Sequence, residues 1–225
     1  KYLDAIVTFS EYKEIFGQRT INISNGIDFD NVAMKTTKND TSKELNLIGV
    51  AEIHQWHGFD RVIKGLANYY SKRQEYIVKF HVVGYFFSAE GEAEFKRIIA
   101  DNHMENYVIL YGKQHGKSLD KIFDWCDMGI GSLGRHRVGI QQIKTLKNRE
   151  YAARGIPFVY SETDSDFDSR PYVLKVPADE SPLNIEQVID FYKNVNIPAI
   201  DIRNSIQDLS WSSQMKHVVD EVFKG

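Results

Sequence analysis

Residues 144–161 read KTLKNREYAARGIPFVYS and set three cations, Lys144, Lys147 and Arg149, just ahead of one carboxylate, Glu150. Lys147 and Glu150 are three positions apart, so on a helix they share a face. Cations hold phosphate by charge and hydrogen bonding. A carboxylate only accepts hydrogen bonds and therefore suits a vicinal diol, which offers two donors side by side. Such a face could hold a phosphorylated, hydroxyl-rich ligand. The plainer reading is an exposed helix pair worth roughly 0.3 kcal/mol, and the stretch alone does not separate the two.

The elements that position these groups are legible. Thr145 can cap a helix, Gly155 can end it in the left-handed conformation, Pro157 forbids its continuation, and Ile156 to Tyr160 reads as a strand. Upstream, GRHRVGIQQIKT brings Arg135, Arg137 and Gly139 to the start of that helix. Anions gather at helix N-termini through free N–H groups and the dipole. From Leu45 onward apolar strands alternate with amphipathic helices, which predicts an open, doubly wound parallel sheet. The strands are Leu45 to Val50, Ile77 to Val83, Tyr107 to Tyr111, Met128 to Leu133, Ile156 to Tyr160 and Tyr172 to Val176. Helical stripes fall at Phe59, Val62, Ile63, Leu66 and Tyr70, at Phe95, Ile98 and Ile99, and at Leu119, Ile122, Phe123 and Cys126. In such sheets ligands bind beyond the carboxyl ends of the strands.

The run LKNREYAARGIPFV resembles the donor-site helix and following strand of the GT-B glycosyltransferases of the retaining group called family 4. Further segments are similar to that family in the same order: TFS, NGID, HGFDRVIKGL, VVG after the second strand, and a Trp-marked last helix, LSWSSQMKHVVDEVF. The resemblance implies a Rossmann-like α/β domain that forms the C-terminal half of a GT-B fold. It implies transfer of a sugar from a nucleoside-diphosphate sugar with retention, with no metal and no cofactor. Glu150 would bind the ribose hydroxyls. Where the family places an Arg and a Lys on the diphosphate, this chain has Glu52 and His57, so Glu52 turns away or phosphate binding has moved. Arg135, Arg137, Lys144 and Lys147 are the expected replacements. The family's first acid falls at Gln142, which can still hydrogen-bond a sugar but carries no charge. In the loop YGKQHGKS, Lys113 is available to base or phosphate.

By the same resemblance residues 1–34 are a remnant of the acceptor-side domain, 35–43 a linker, and 44–225 the donor-binding domain with its terminal helices. The chain starts at Lys1 without a methionine and is read as a fragment, inactive alone. Its acceptor, a glycan or lipid-linked glycan, would be held by the other domain, in polysaccharide biosynthesis. The rival reading is a non-catalytic nucleotide- or sugar-binding scaffold of the same fold, favoured by Glu52, His57 and Gln142.

A formal charge of −3 argues against a general nucleic-acid binder. The single cysteine, Cys126, excludes an intramolecular disulfide and fits a reducing compartment. No apolar run reaches the ~18 residues needed to span a bilayer, so a cytoplasmic setting is expected, with peripheral attachment to the inner face of the membrane open to the full-length protein. Three features are read as decoys. GIGSLG, Gly129 to Gly134, places its glycines in a strand with no helix opening directly after them. DSDFD, Asp164 to Asp168, is read as a solvated acidic turn. For His54 and His57 the plainer reading is exposed loop histidines rather than metal ligands.

Overall fold

The computed structural model describes residues 3–36, 43–72 and 74–223. Its centre is a six-stranded, all-parallel sheet in the order β6-β5-β4-β7-β8-β9. Two long strands, β4 (Glu44–Ile53) and β5 (Ile77–Phe86), pair in register over their whole length. They outrun the apolar runs that predict them because pairing carries on through Glu52 opposite Tyr85. Gly84 makes this extension possible: its φ of 136° is open only to glycine, and a Cβ there would strike the carbonyl of Ala51. The other strands are three residues each: β6 (Val108–Leu110), β7 (Met128–Ile130), β8 (Phe158–Tyr160) and β9 (Val173–Lys175).

Helices cover both faces, as the continuous apolar strands require. On one side α1 (Phe59–Tyr70), α2 (Ala89–Asp101) and α5 (Ile185–Asn194) bury Val62, Ile63, Leu66, Phe95 and Val188 against Leu45, Leu47, Phe80 and Ile130. On the other, α3 (Gly116–Trp125), α4 (Leu146–Arg154) and α6 (Ala199–Asn204) bury Phe123, Tyr151 and Ile202 with Ile48, Phe158 and Tyr160. From β4 the chain builds outward to β5 and β6, then crosses over to β7. The topological switch point therefore lies between β4 and β7.

The run DAIVTFSEYKEIFG followed by INISNGIDFD reads as strand, helical turn and short strand; in the structure the first strand forms, the second starts earlier, at Gln18, and the helical turn does not form. These residues form a small sheet, β1 (Ile6–Thr8) parallel to β3 (Gln18–Asn22) and β2 (Glu14–Ile15) antiparallel to it. The expected helical turn is a hairpin, because Phe16 (φ 51°) and Gly17 (φ 72°) both adopt the left-handed region. Beyond it Ile27, Phe29 and Val32 pack on the second core. Residues 37–42 of the expected linker lie outside the described residues, while Lys35 at its start bonds Asp127 at 3.2 Å. The last helix, α7 (Trp211–Phe223), forms as expected, yet none of its residues is buried: Val219 is 53% and Phe223 79% exposed. Trp211 covers Gly26, and the rest of the apolar face is only partly covered, with Val218 half-buried and Met215 and Val222 exposed.

Candidate functional site

Two turns meet at the switch point. The first, Gln55–His57, follows β4; the second, Arg135–Val138, follows β7. They touch because two glycines remove the obstacle: a Cβ on Gly58 would lie 2.7 Å from the Leu133 carbonyl carbon, and one on Gly134 would lie 3.0 Å from the Gln55 oxygen. Leu133 N–H donates to the His57 carbonyl at 3.0 Å and fixes the contact. The loop after β8 joins from the far side, with Ser161 N–H donating to the Ser132 carbonyl at 3.1 Å. The 3-10 turn at Arg135 corrects one expectation, since a helical turn does open directly after Gly134. It is a single turn, so GIGSLG still makes no dinucleotide fingerprint. Gly129 is there for packing, as a Cβ would meet the Tyr151 ring at 2.5 Å.

Beneath these turns polar atoms gather without protein partners. Lys147 Nζ, Arg135 Nε, Ser132 Oγ and Glu162 Oε1 are all buried and unbonded among the described residues. Buried polar groups are satisfied in nearly all native structures, so an unpaired set in one crevice marks a place for water or ligand. Lys147 keeps a partly exposed stem and tucks its ammonium 5.5 Å from the centre of the Phe59 ring. Burial pulls its pKa down to about 7, against the attraction of Glu162 and with the repulsion of Arg135. Burial pushes the Glu162 carboxyl up, although Lys147 and Arg135 both favour its ionised form. Arg135 lies 5.6 Å over the Trp56 ring.

His57 corrects the exposed-loop reading. It is 6% exposed, and burial with the nearby Lys147, Arg135 and His54 lowers its pKa to about 2. Its Nδ1 accepts the His54 N–H at 3.1 Å, so the neutral ring carries its proton on Nε2 and is a donor. His54 is half-buried, stacked on Trp56 at 3.9 Å, and within 3.3 Å of Glu52. Glu52 does turn away, taking the Tyr85 hydroxyl at 2.7 Å on the solvent side.

The other expected site residues are dispersed. Thr145 caps α4 through Asn148 N–H, and Gly155 ends it at φ 76°. On that helix Lys147 and Glu150 part company. Glu150 Oε1 takes Arg154 Nε at 3.0 Å and Nη2 at 2.9 Å, and Arg154 also holds Asp120 at 2.8 Å. Arg137 is engaged on the far side of its turn, paired to Asp60 (2.8 and 3.0 Å) and to Glu180 (2.9 and 2.6 Å). Those hydrogen bonds drive Glu180 down to about 2 and raise Arg137. Lys144 donates to Ser24 Oγ at 2.8 Å. Gln142 bridges Thr163 and lines a cleft of about 630 Å³ shared with Phe9, Tyr12, Asn25 and Lys144. Gly139 closes its turn at φ 72°, and Lys113 lies 5.5 Å over the Tyr85 ring.

DSDFD is not a solvated turn. Asp164 is fully buried, pairing with Arg149 at 2.9 Å and with Asn148 at 3.1 Å. Asp166 also binds Arg149, and Asp168 takes Tyr160 at 2.5 Å and Lys175 at 2.8 Å. The three aspartates serve as counter-ions to Arg149 and Lys175.

No protein-family model matches the sequence, and no curated protein matches it. Solved structures do match in fold. A glycosyltransferase from Rickettsia africae superposes with a TM-score of 0.69 at 14% identity, over 94% of this chain and 59% of that one. HepE from Anabaena, solved with UDP, gives 0.69 at 15% identity over 92% and 58%. The C-terminal domain of LpcC, a group 1 glycosyl transferase from Francisella tularensis, gives 0.58 at 11% over 80% of this chain and 96% of its own. This chain has the fold of the C-terminal half of a GT-B glycosyltransferase. It spans a little under three fifths of the first two of these relatives.

In this GT-B half the switch-point crevice is the place where a ligand is expected. Sequence reasoning found Lys147 and Arg135 there but missed Glu162 and Ser132. The available signal was slight: an acid ending the apolar run IPFVYSE, where a strand of this burial has no need of one. Among the described residues no group of three His, Cys, Asp or Glu is placed to hold a metal ion, and no helix is long and apolar enough to cross a membrane.

Proposed function

We propose that this chain is the donor-binding half of a glycosyltransferase and holds a nucleoside-diphosphate sugar at the β4/β7 switch point. One observation carries the reading. Two cationic side chains, Lys147 at the first turn of α4 and Arg135 in the turn after β7, each carry a buried nitrogen with no protein partner among the described residues, Nζ and Nε, where a departing diphosphate would find charge and helix N–H groups already in place. Glu150, whose Oε1 is taken by Arg154, would accept ribose hydroxyls through its other oxygen. Lys113, in the loop after β6, would meet the base. The acceptor, a glycan or lipid-linked glycan in polysaccharide assembly at the inner face of the membrane, would be held mainly by an N-terminal domain joined through residues 35–43. Residues 1–34 would be the end of that domain. Transfer would proceed with retention and without a metal, and this chain alone would bind donor without turnover.

Calorimetric titration with UDP, GDP and their sugar conjugates tests the reading. Binding of one nucleotide family is expected, weakened about 10- to 100-fold by Lys147→Ala, since a hydrogen bond to a charged group contributes about 1.5–3 kcal/mol. The rival, a non-catalytic scaffold, is favoured by Glu52 facing Tyr85 and by Glu150 Oε1 being occupied by Arg154. Absence of nucleotide binding in a folded sample would overturn the donor reading and move the scaffold reading ahead of it.

A further inference from the structure

Glu162 is the one acid in the crevice, and its surroundings are specific. The residue is 2% exposed. The carboxylate is held on one side by the Ser161 hydroxyl, 3.4 Å from Oε2, and by the backbone of Ser161 and Glu162, while Oε1 meets nothing among the described residues. Lys147 and Arg135 both attract it, yet among the described residues neither closes an ion pair with it. The buried, unbonded Lys147 Nζ, Arg135 Nε and Glu162 Oε1 together line a polar site. Its walls are unequal: Lys147, Arg135 and the Nε2–H of neutral His57 can only donate hydrogen bonds, Ser132 can do either, and ionised Glu162 can only accept. A bare diphosphate would satisfy the donors but would set its own charge against Glu162. A phosphate esterified to a polyhydroxylated group satisfies both walls, with its oxygens on the cations and an adjacent O–H on the carboxylate.

We propose that Glu162 is the residue that selects a sugar-bearing diphosphate over the bare nucleotide, accepting a hydroxyl of the sugar whose phosphate Lys147 and Arg135 hold. This rests on the donor-site reading above. The role is one of specificity, through ground-state binding. It also accounts for an acid among cations that form no ion pair with it: a close pair would fill the gap that the ligand occupies.

The test is titration of the chain with UDP and UDP-glucose, and with GDP and GDP-mannose, for the wild type, Glu162→Gln and Glu162→Asp. Glu162→Gln removes the charge and keeps the shape. It is expected to bind the bare nucleotide several-fold more tightly while the preference for the sugar conjugate falls about tenfold, the loss of one charge-assisted hydrogen bond. Glu162→Asp keeps the charge but shortens the reach, so it should lose the sugar preference with no gain for the bare nucleotide. A purely structural role would weaken both ligands together in both variants, and an unchanged ratio in Glu162→Gln would refute the proposal while leaving the donor site standing. Failure of the wild type to bind any of the four ligands would overturn the donor reading and this inference with it.

Discussion

Arg149 is fully buried and provides the sharpest energetic test of how α4 is held. Its Nε donates to the Asn25 carbonyl at 2.8 Å, Nη1 to the Thr145 carbonyl and to Asp164 Oδ2 at 2.9 Å each, and Nη2 to Asp164 Oδ1 at 3.4 Å and to Asp166. Arg149→Met would fill similar volume but strand Asp164, which would keep only Asn148 and the Asp166 N–H at 3.3 Å. Removing one partner of a buried pair costs about 3–5 kcal/mol, a large share of the ~5–15 kcal/mol that holds a typical domain. The loss should depend on pH with a definite sign. Burial already pushes the Asp164 carboxyl up, and removal of its cation pushes it further. The folded variant then keeps a proton that the unfolded chain releases above about pH 4, so the penalty grows as pH rises and shrinks toward pH 4. Urea unfolding followed by circular dichroism at pH 7.5 and pH 5 measures this, with Asp164→Asn and the double variant completing a cycle. The double variant should cost at least about 2 kcal/mol less than the summed singles. A cost below about 1 kcal/mol for Arg149→Met, or strict additivity in the cycle, would refute the reasoning.

Other perturbations separate structure from binding. Arg137→Ala should destabilise the fold by freeing Asp60 and Glu180 while leaving nucleotide affinity within about twofold, whereas Arg135→Ala should lower affinity about tenfold or more by calorimetry. His57 is neutral in the folded state and titrates near 6.5 when unfolded, so stability should fall by up to about 1.4 kcal/mol per unit as pH drops below 6.5. His57→Gln should flatten that slope in chemical unfolding. Gly84→Ala should prevent folding, since its Cβ has no room beside the Ala51 carbonyl, while Gly112→Ala, left-handed but in open space, should cost about 1 kcal/mol in thermal unfolding.

What the sequence made legible was what is decided locally. The cap at Thr145, the stop at Gly155 and the apolar stripes of α1 and α3 depend on residues a few positions apart, and each was readable because its partner stood nearby. The hairpin at Phe16-Gly17 escaped because a bulky residue in the left-handed region gives no composition signal. At the crevice the deciding partners are remote. Arg135 and Arg137 lie two apart in the motif RHR and look equivalent, but Asp60 and Glu180, 77 and 43 residues from Arg137, take its guanidinium. The same logic splits Lys147 from Glu150, since Arg154 one turn on takes the carboxylate while β4 and the start of α1 bring His57 and Phe59 under the lysine. A site cation here is defined by the acid it lacks. Among the described residues Arg135 has the Trp56 face and the unpaired attraction of Glu162 to answer its charge, and that deficit, which no spacing in the sequence encodes, is what leaves it free to meet a ligand.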